Sequence, residues 1–151
     1  MTINYIKHDH DDRAKALYSF LINDGYTEKE MEHIKFKIDN DDTSYIDLDG
    51  DANESYMILT DEEADQKVED HIRDTLWAFN SGFLVSHTDV DITVIEKLQS
   101  LYEDSNEAIF SLIKDFDHFV DDAILSDGRG HFLASYDGAE EEYLNHFIYR
   151  C

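Results

Sequence analysis

Asp and Glu occupy 36 of the 151 positions and Lys and Arg only 12, so any compact state of this chain holds a net charge of −24. Self-repulsion on that scale opposes folding. The acids therefore belong on the surface, spread over several elements, around a core large enough to offset the cost. Such a core is available: 42% of the residues are hydrophobic and 13% aromatic, as in ordinary globular domains and unlike a disordered acidic tail. A charge of roughly 2 to 8 in magnitude keeps a small domain soluble. The excess here is several-fold larger and calls for a functional reason, although halophilic adaptation is a further source of acidity that composition leaves open.

Length and punctuation set the organisation. One domain over residues 1–151 is expected, because domains typically run about 100 to 150 residues and no proline, fixed-period repeat or Gly/Ser-rich linker marks a boundary. No apolar run approaches the roughly 18 residues of a membrane span, and the opening MTINYIKHDHDD has no signal-peptide core. These features point to a soluble protein of the cytoplasm. Cys151 is the single cysteine, which excludes an internal disulfide framework and a Cys-rich zinc site.

Charge also selects partners. Nucleic acids and anionic lipids are bound through Lys and Arg that neutralise phosphates and release counterions, so direct binding to either is not expected. The same field attracts proteins whose own working surface is basic and speeds their encounter. Nucleic-acid-binding proteins are the main class of that kind.

Periodicity gives the elements. Residues 9 to 23 carry a helical apolar stripe of Ala14, Leu17, Tyr18, Leu21 and Ile22 behind Asp9, Asp11 and Asp12, which suit a helix N-terminus. Thr27 with Glu30 has capping-box spacing. Ile34, Phe36 and Ile38 alternate with charged residues as in a half-buried strand, and Tyr45 to Leu48 and Tyr56 to Leu59 follow as two more. Thr60 with Glu63 opens a helix expected to run to Phe79. Further helices are expected over about 91–102 and 105–127, then two strands over 131–136 and 146–150. Strands and helices cluster instead of alternating, so the expected class is α+β, an antiparallel sheet of about four to five strands with helices packed on one face.

Among candidate sites, residues 39 to 70 hold the densest acids, including Asp47, Asp49, Asp51, Glu54, Glu62, Asp65 and Glu69 against the single base Lys67. Helix neighbours three and four apart are about 5–6 Å from each other, near the spacing of successive phosphates on one nucleic-acid strand. Glu62, Asp65 and Glu69 are thus read as part of a phosphate-like row. A second row is expected from Asp115, Asp121 and Asp122, with Asp117 beside them. Two solvated helix faces are the alternative. A calcium loop at Asp47–Asp51 fails, because placing Gly50 at loop position 6 puts Tyr45 and Tyr56 where carboxylates are needed. His8, Asp9, His10, Asp11 and Asp12 lie close together as donors for zinc or manganese, but the remaining histidines show no spacing such as H-E-x-x-H. They are read as a helix entry, and no metal or cofactor is assigned. Arg129, His131 and Asp137 flank a glycine-bearing loop that is either a partner contact, a catalytic group or a helix end leading into a strand.

The segments Leu59-Thr60-Asp61-Glu62-Glu63-Ala64-Asp65, Trp77-Ala78-Phe79-Asn80-Ser81-Gly82-Phe83-Leu84 and the run from Gly128 to Gly138 resemble a group of small acidic proteins of tailed bacteriophages, over roughly residues 55 to 150. The resemblance carries no catalytic residues. It implies a place among strongly acidic phage proteins such as DNA-mimicking antirestriction and anti-CRISPR inhibitors, acting in the host cytoplasm. The expected function is accordingly a non-enzymatic inhibitor, monomeric or homodimeric, that occupies the basic nucleic-acid surface of a host nuclease or CRISPR effector. The alternatives are a phage accessory enzyme acting at Arg129, His131 and Asp137, or an oligomeric regulatory module.

Overall fold

A computed structural model describes residues 4–9, 11–50 and 54–151. They form two compact units: the described residues up to Asp65 together with Arg129–Cys151, and Gln66–Gly128. No helix among the described residues is long and apolar enough to cross a membrane.

The first unit is built on strands. In chain order it holds β1 (Asn4–Ile6), α1 (Asp12–Asn23), α2 (Glu28–Met31), β2 (Lys35–Ile38), β3 (Tyr45–Asp49), β4 (Ser55–Leu59), the start of α3 (Asp61–Asp74), α8 (Arg129–Leu133), β5 (Glu141–Tyr143) and β6 (His146–Arg150). The sheet is antiparallel, in the order β1-β2-β3-β4-β6-β5. This is the α+β class that the clustering of elements implies, with six strands where four to five were expected. The two extra strands, β1 and β5, are three residues each and lie at the edges, too short to leave a period-2 signature.

Alternation sorts the two sheet faces. Phe36, Ile46, Leu48, Tyr56, Ile58 and Ile148 are buried with Ala14, Leu17 and Leu21 of α1 in one hydrophobic cluster. Asp11 holds α1 in place by accepting from the amides of Arg13 and Ala14. On the opposite face Met57, Leu59 and Tyr149 are also buried, so β4 is covered on both sides.

The expected strand at 131–136 is replaced by α8 and a turn. The amide of Ala134 donates to the carbonyl of Gly130, and that of Gly138 to Ala134, each at 2.8 Å. These are helical bonds, and they wind the segment instead of extending it. Gly130 permits this because its backbone meets the 138–140 segment: a Cβ would stand 2.4 Å from the Gly138 carbonyl oxygen. Gly128, by contrast, is the expected helix end, with φ 81° after the helix Phe116–Asp127. β6 pairs instead with β4 on one side and, on the other, with β5, which begins within the Glu140–Glu142 run and ends at Tyr143.

The second unit is helical: the rest of α3, a 3-10 turn at Leu76–Ala78, α4 (Ser81–Ser86), α5 (Ile92–Gln99), a second 3-10 turn at Tyr102–Ser105, α6 (Asn106–Leu112) and α7 (Phe116–Asp127). Val68, Ile72, Leu76, Leu84, Ile95, Ile109, Phe119 and Ala123 are buried, and the rings of Phe79, Phe83 and Phe116 surround Phe119 at centroid distances of 5.1 to 6.3 Å. Two expected helices are interrupted. The first stops at Asp74 and tightens into the 3-10 turn, where Asn106 bonds the Arg73 carbonyl and the Trp77 amide. The second, expected unbroken over 105–127, divides because Ile113 is extended, the Lys114 amide donates to the His87 carbonyl at 3.0 Å, and Asp115 caps α7 by accepting from the His118 amide.

Candidate functional site

The acids read as a docking surface fall into two groups once their neighbours are placed. On the sheet, register sets Lys37 directly opposite Asp47 and Lys35 opposite Asp49, with Lys37 Nζ 3.5 Å from Asp49. Asp47 and Asp49 therefore share their face with lysines. Asp51 lies outside the described residues. Glu54 accepts from Arg150 and from the hydroxyl of Tyr56. Burial and that hydrogen bond together push the Tyr56 phenol well above its ordinary pKa.

Asp65 is likewise engaged. Arg129, whose side chain is only 10% exposed, donates through Nη1 to Asp61 at 2.8 Å and Asp65 at 3.0 Å and through Nε to Glu140 at 2.8 Å. Its guanidinium lies 4.5 Å from the Phe147 ring centre. Burial works against the charge, but the hydrogen bonds from Glu140 and Asp61 outweigh it and raise the pKa further. Glu140 also accepts from Tyr149, whose phenol is pushed up by burial and that bond. Arg129 thus ties α3, α8 and the approach to β5 together. His131 is exposed and packs its ring on Phe132, and exposed Asp137 accepts from the Ala139 amide in a local turn. Only the arginine of this trio is bound into a network of charged partners.

Arg13 repeats the pattern on Glu63. Its Nη1 and Nη2 donate to the two carboxylate oxygens at 2.8 and 2.9 Å, and Nη1 also reaches the Ile58 carbonyl. Glu63 meanwhile accepts from the Thr60 amide while the Thr60 hydroxyl accepts from that of Glu63, the capping box expected from sequence. The Arg13 hydrogen bond holds the Glu63 carboxyl down to about 2, against an opposing contribution from burial.

The second group stays at the surface. Glu62 on α3 is exposed and Glu69 half-buried; Asp115, Asp117 and Asp121 on α7 are exposed. Asp117 and Asp121 are one turn apart and so share a helix face. Residues 66–128 carry 14 Asp and Glu against 4 Lys and Arg, and their one arginine, Arg73, forks onto Glu107 at 2.8 and 2.9 Å. Exposed apolar side chains accompany these acids: Ile92 and Val94 on α5, then Leu101 and Tyr102.

Asp122 belongs elsewhere. Its carboxylate accepts from His87 Nε2 at 2.9 Å, and His118, one turn before it on α7, brings its ring to 5.3 Å from that of His87. One ligand atom from each of the three lies within 4.8 Å of the others. His87 follows α4, buried beside Phe83 and Phe119. Sequence reading assigned no metal ligand. The available signal was His118 and Asp122 at i, i+4 on one helix; His87, 31 residues earlier, is supplied only by the fold.

The other donor-rich segment, around His8, takes a different role. Ahead of α1, the His8 ring packs at a tilt against those of Tyr18 and Phe36 at 5.1 and 4.4 Å, and His10 lies outside the described residues. Nearby, Lys7, Lys15 and Lys35 line a cleft of about 690 Å³ with Ile6, Tyr18, Ile34 and Leu144. These three lysines belong to the first unit. No family model, curated relative or solved structure matches the chain.

Proposed function

We propose that the protein is a non-enzymatic acidic inhibitor that occupies the basic nucleic-acid-binding surface of another protein, with Gln66–Gly128 as the docking part. The observation that carries this reading is the distribution of counter-charges. All four arginines of the chain are engaged by carboxylates of the protein itself, while exposed acids on α7 and in the second unit have few bases around them. A surface of that kind raises the association rate with a basic partner and excludes polyanions. Exposed Ile92, Val94, Leu101 and Tyr102 add apolar contact that slows dissociation. The resemblance to small acidic phage proteins supports a nuclease or CRISPR effector of a bacterial host as the target.

The test is capture from bacterial lysate on the immobilised full chain, with elution by duplex DNA. The expected result is a nucleic-acid-binding protein released by DNA, whose recovery falls when Glu69, Asp117 and Asp121 are changed to Lys. Failure to recover any DNA-displaceable partner, or recovery unaffected by the triple reversal, would overturn the reading.

A further inference from the structure

We propose that His87, His118 and Asp122 form a binding site for a divalent transition cation of the zinc type. The donor set is two imidazole nitrogens and one carboxylate oxygen, which suits zinc and its first-row neighbours and is a poor match for magnesium or calcium, whose sites are built from oxygen. Around tetrahedral zinc, with bonds of about 2.0–2.2 Å, ligand atoms lie roughly 3.3 Å apart. Here the three donors are already within 4.8 Å of one another, and the His87–Asp122 pair is at 2.9 Å. The remaining gap closes by rotation of His118, the exposed member of the set.

The backbone holds this constellation in place. The Lys114 amide donates to the His87 carbonyl at the break between α6 and α7, and Asp115 fixes the first turn of α7 through the His118 amide. Without that break His118 and Asp122 would continue a straight helix from residue 106, with no anchor to the His87 backbone. Phe83 and Phe119 pack the buried imidazole, which limits its rotamers and pre-organises one ligand. Ser86, Lys114 and Asp115 complete the lining of a cleft of about 370 Å³, room for water at a fourth coordination position. Lys114 directs its ammonium toward Asp89, at 3.3 Å. This site does not depend on the docking reading: it would join the end of α4 to α7 whether or not the surface acids meet a partner.

The experiment is calorimetric titration of the chelator-stripped full chain with zinc chloride, alongside thermal melts with and without the metal. His118→Ala and Asp122→Asn are compared with His131→Ala, an exposed histidine outside the cluster; His87 is left intact because its burial makes it part of the core. The expected result is one zinc per chain in the wild type and His131→Ala. Affinity should be at least about tenfold weaker in each of the other two variants, and a zinc-dependent rise in Tm should vanish with it. Absence of saturable zinc binding, or equal affinity in all four proteins, overturns the proposal, the latter assigning the metal to surface carboxylates.

Discussion

The two units carry the same kind of excess charge but use it differently. In the sheet unit, six acids are tied to cations from other elements: Glu63 to Arg13, Asp61, Asp65 and Glu140 to Arg129, Glu54 to Arg150, and Asp49 to Lys37 across two strands. Remove Arg129 and three carboxylates are left facing one another. In the helical unit Arg73 makes one such fork, on Glu107, whereas Asp117 and Asp121 stand exposed on α7 and Asp115 caps it. The difference shows that net charge by itself does not identify a functional surface. An acid that completes an arginine's coordination is part of the fold; an acid on an exposed helix face with few bases near it is available to a partner.

The sharpest way to break this comparison is to remove Arg129. Arg129→Ala leaves Asp61, Asp65 and Glu140 without their shared guanidinium. Because the arginine is buried but the aspartates are largely exposed, a loss of about 2–3 kcal/mol is expected in urea unfolding, below the range for a fully buried pair. Gly130→Ala comes next. Its Cβ would be forced to within 2.4 Å of the Gly138 carbonyl oxygen, so the 138–140 segment must shift, at about 1–3 kcal/mol by the usual cost of overpacking. Both losses should be accompanied by weakened attachment of β5 and β6, visible as faster amide exchange in those strands.

Acid titration gives a third, smaller effect. The folded pKa of Glu63 is depressed to about 2 from an ordinary 4.5, so its contribution is fully present above the unfolded value and is lost as pH falls through the range between the two. Glu63→Gln should remove on the order of 1 kcal/mol at neutral pH, discounted for the exposure of the carboxylate, and should flatten the stability profile between about pH 4.5 and 2. The smallest stability effect belongs to the helical unit. Asp117→Lys with Asp121→Lys should alter unfolding free energy by no more than about 0.5 kcal/mol, because these side chains are exposed. A loss as large as that of Arg129→Ala would erase the distinction between the units.

Much of the fold was legible in the sequence because its signals were local. The capping boxes at Thr27 and Thr60, the alternation around Phe36 and the apolar stripe of α1 each specify an element within about ten residues, and each formed. Of the features that were not legible, three share a reason. The helix break at Ile113–Asp115 depends on a bond to the His87 carbonyl, the winding of 129–134 depends on the Gly138 backbone, and β5 borrows its conformation from β6. All three are set by contacts between segments, to which periodicity is blind. The same applies to the charged residues. Glu62 and Asp65 look equivalent on a helical stripe, yet only Asp65 accepts from Arg129, 64 residues away. The histidine cluster follows suit, since one helix supplies two of its members and a distant turn the third.

The central claim, that fold-building and partner-binding acids are separate sets, is most directly tested by DNA-displaceable capture from lysate with two variants side by side. One carries Glu69→Lys, Asp117→Lys and Asp121→Lys; the other carries Lys at Asp47 and Glu54. The account predicts that the first keeps its unfolding midpoint and loses partner recovery, while the second unfolds earlier but, at a temperature where it is still folded, recovers the partner as the wild type does. Undiminished recovery by the first variant, or loss confined to the second, would contradict it.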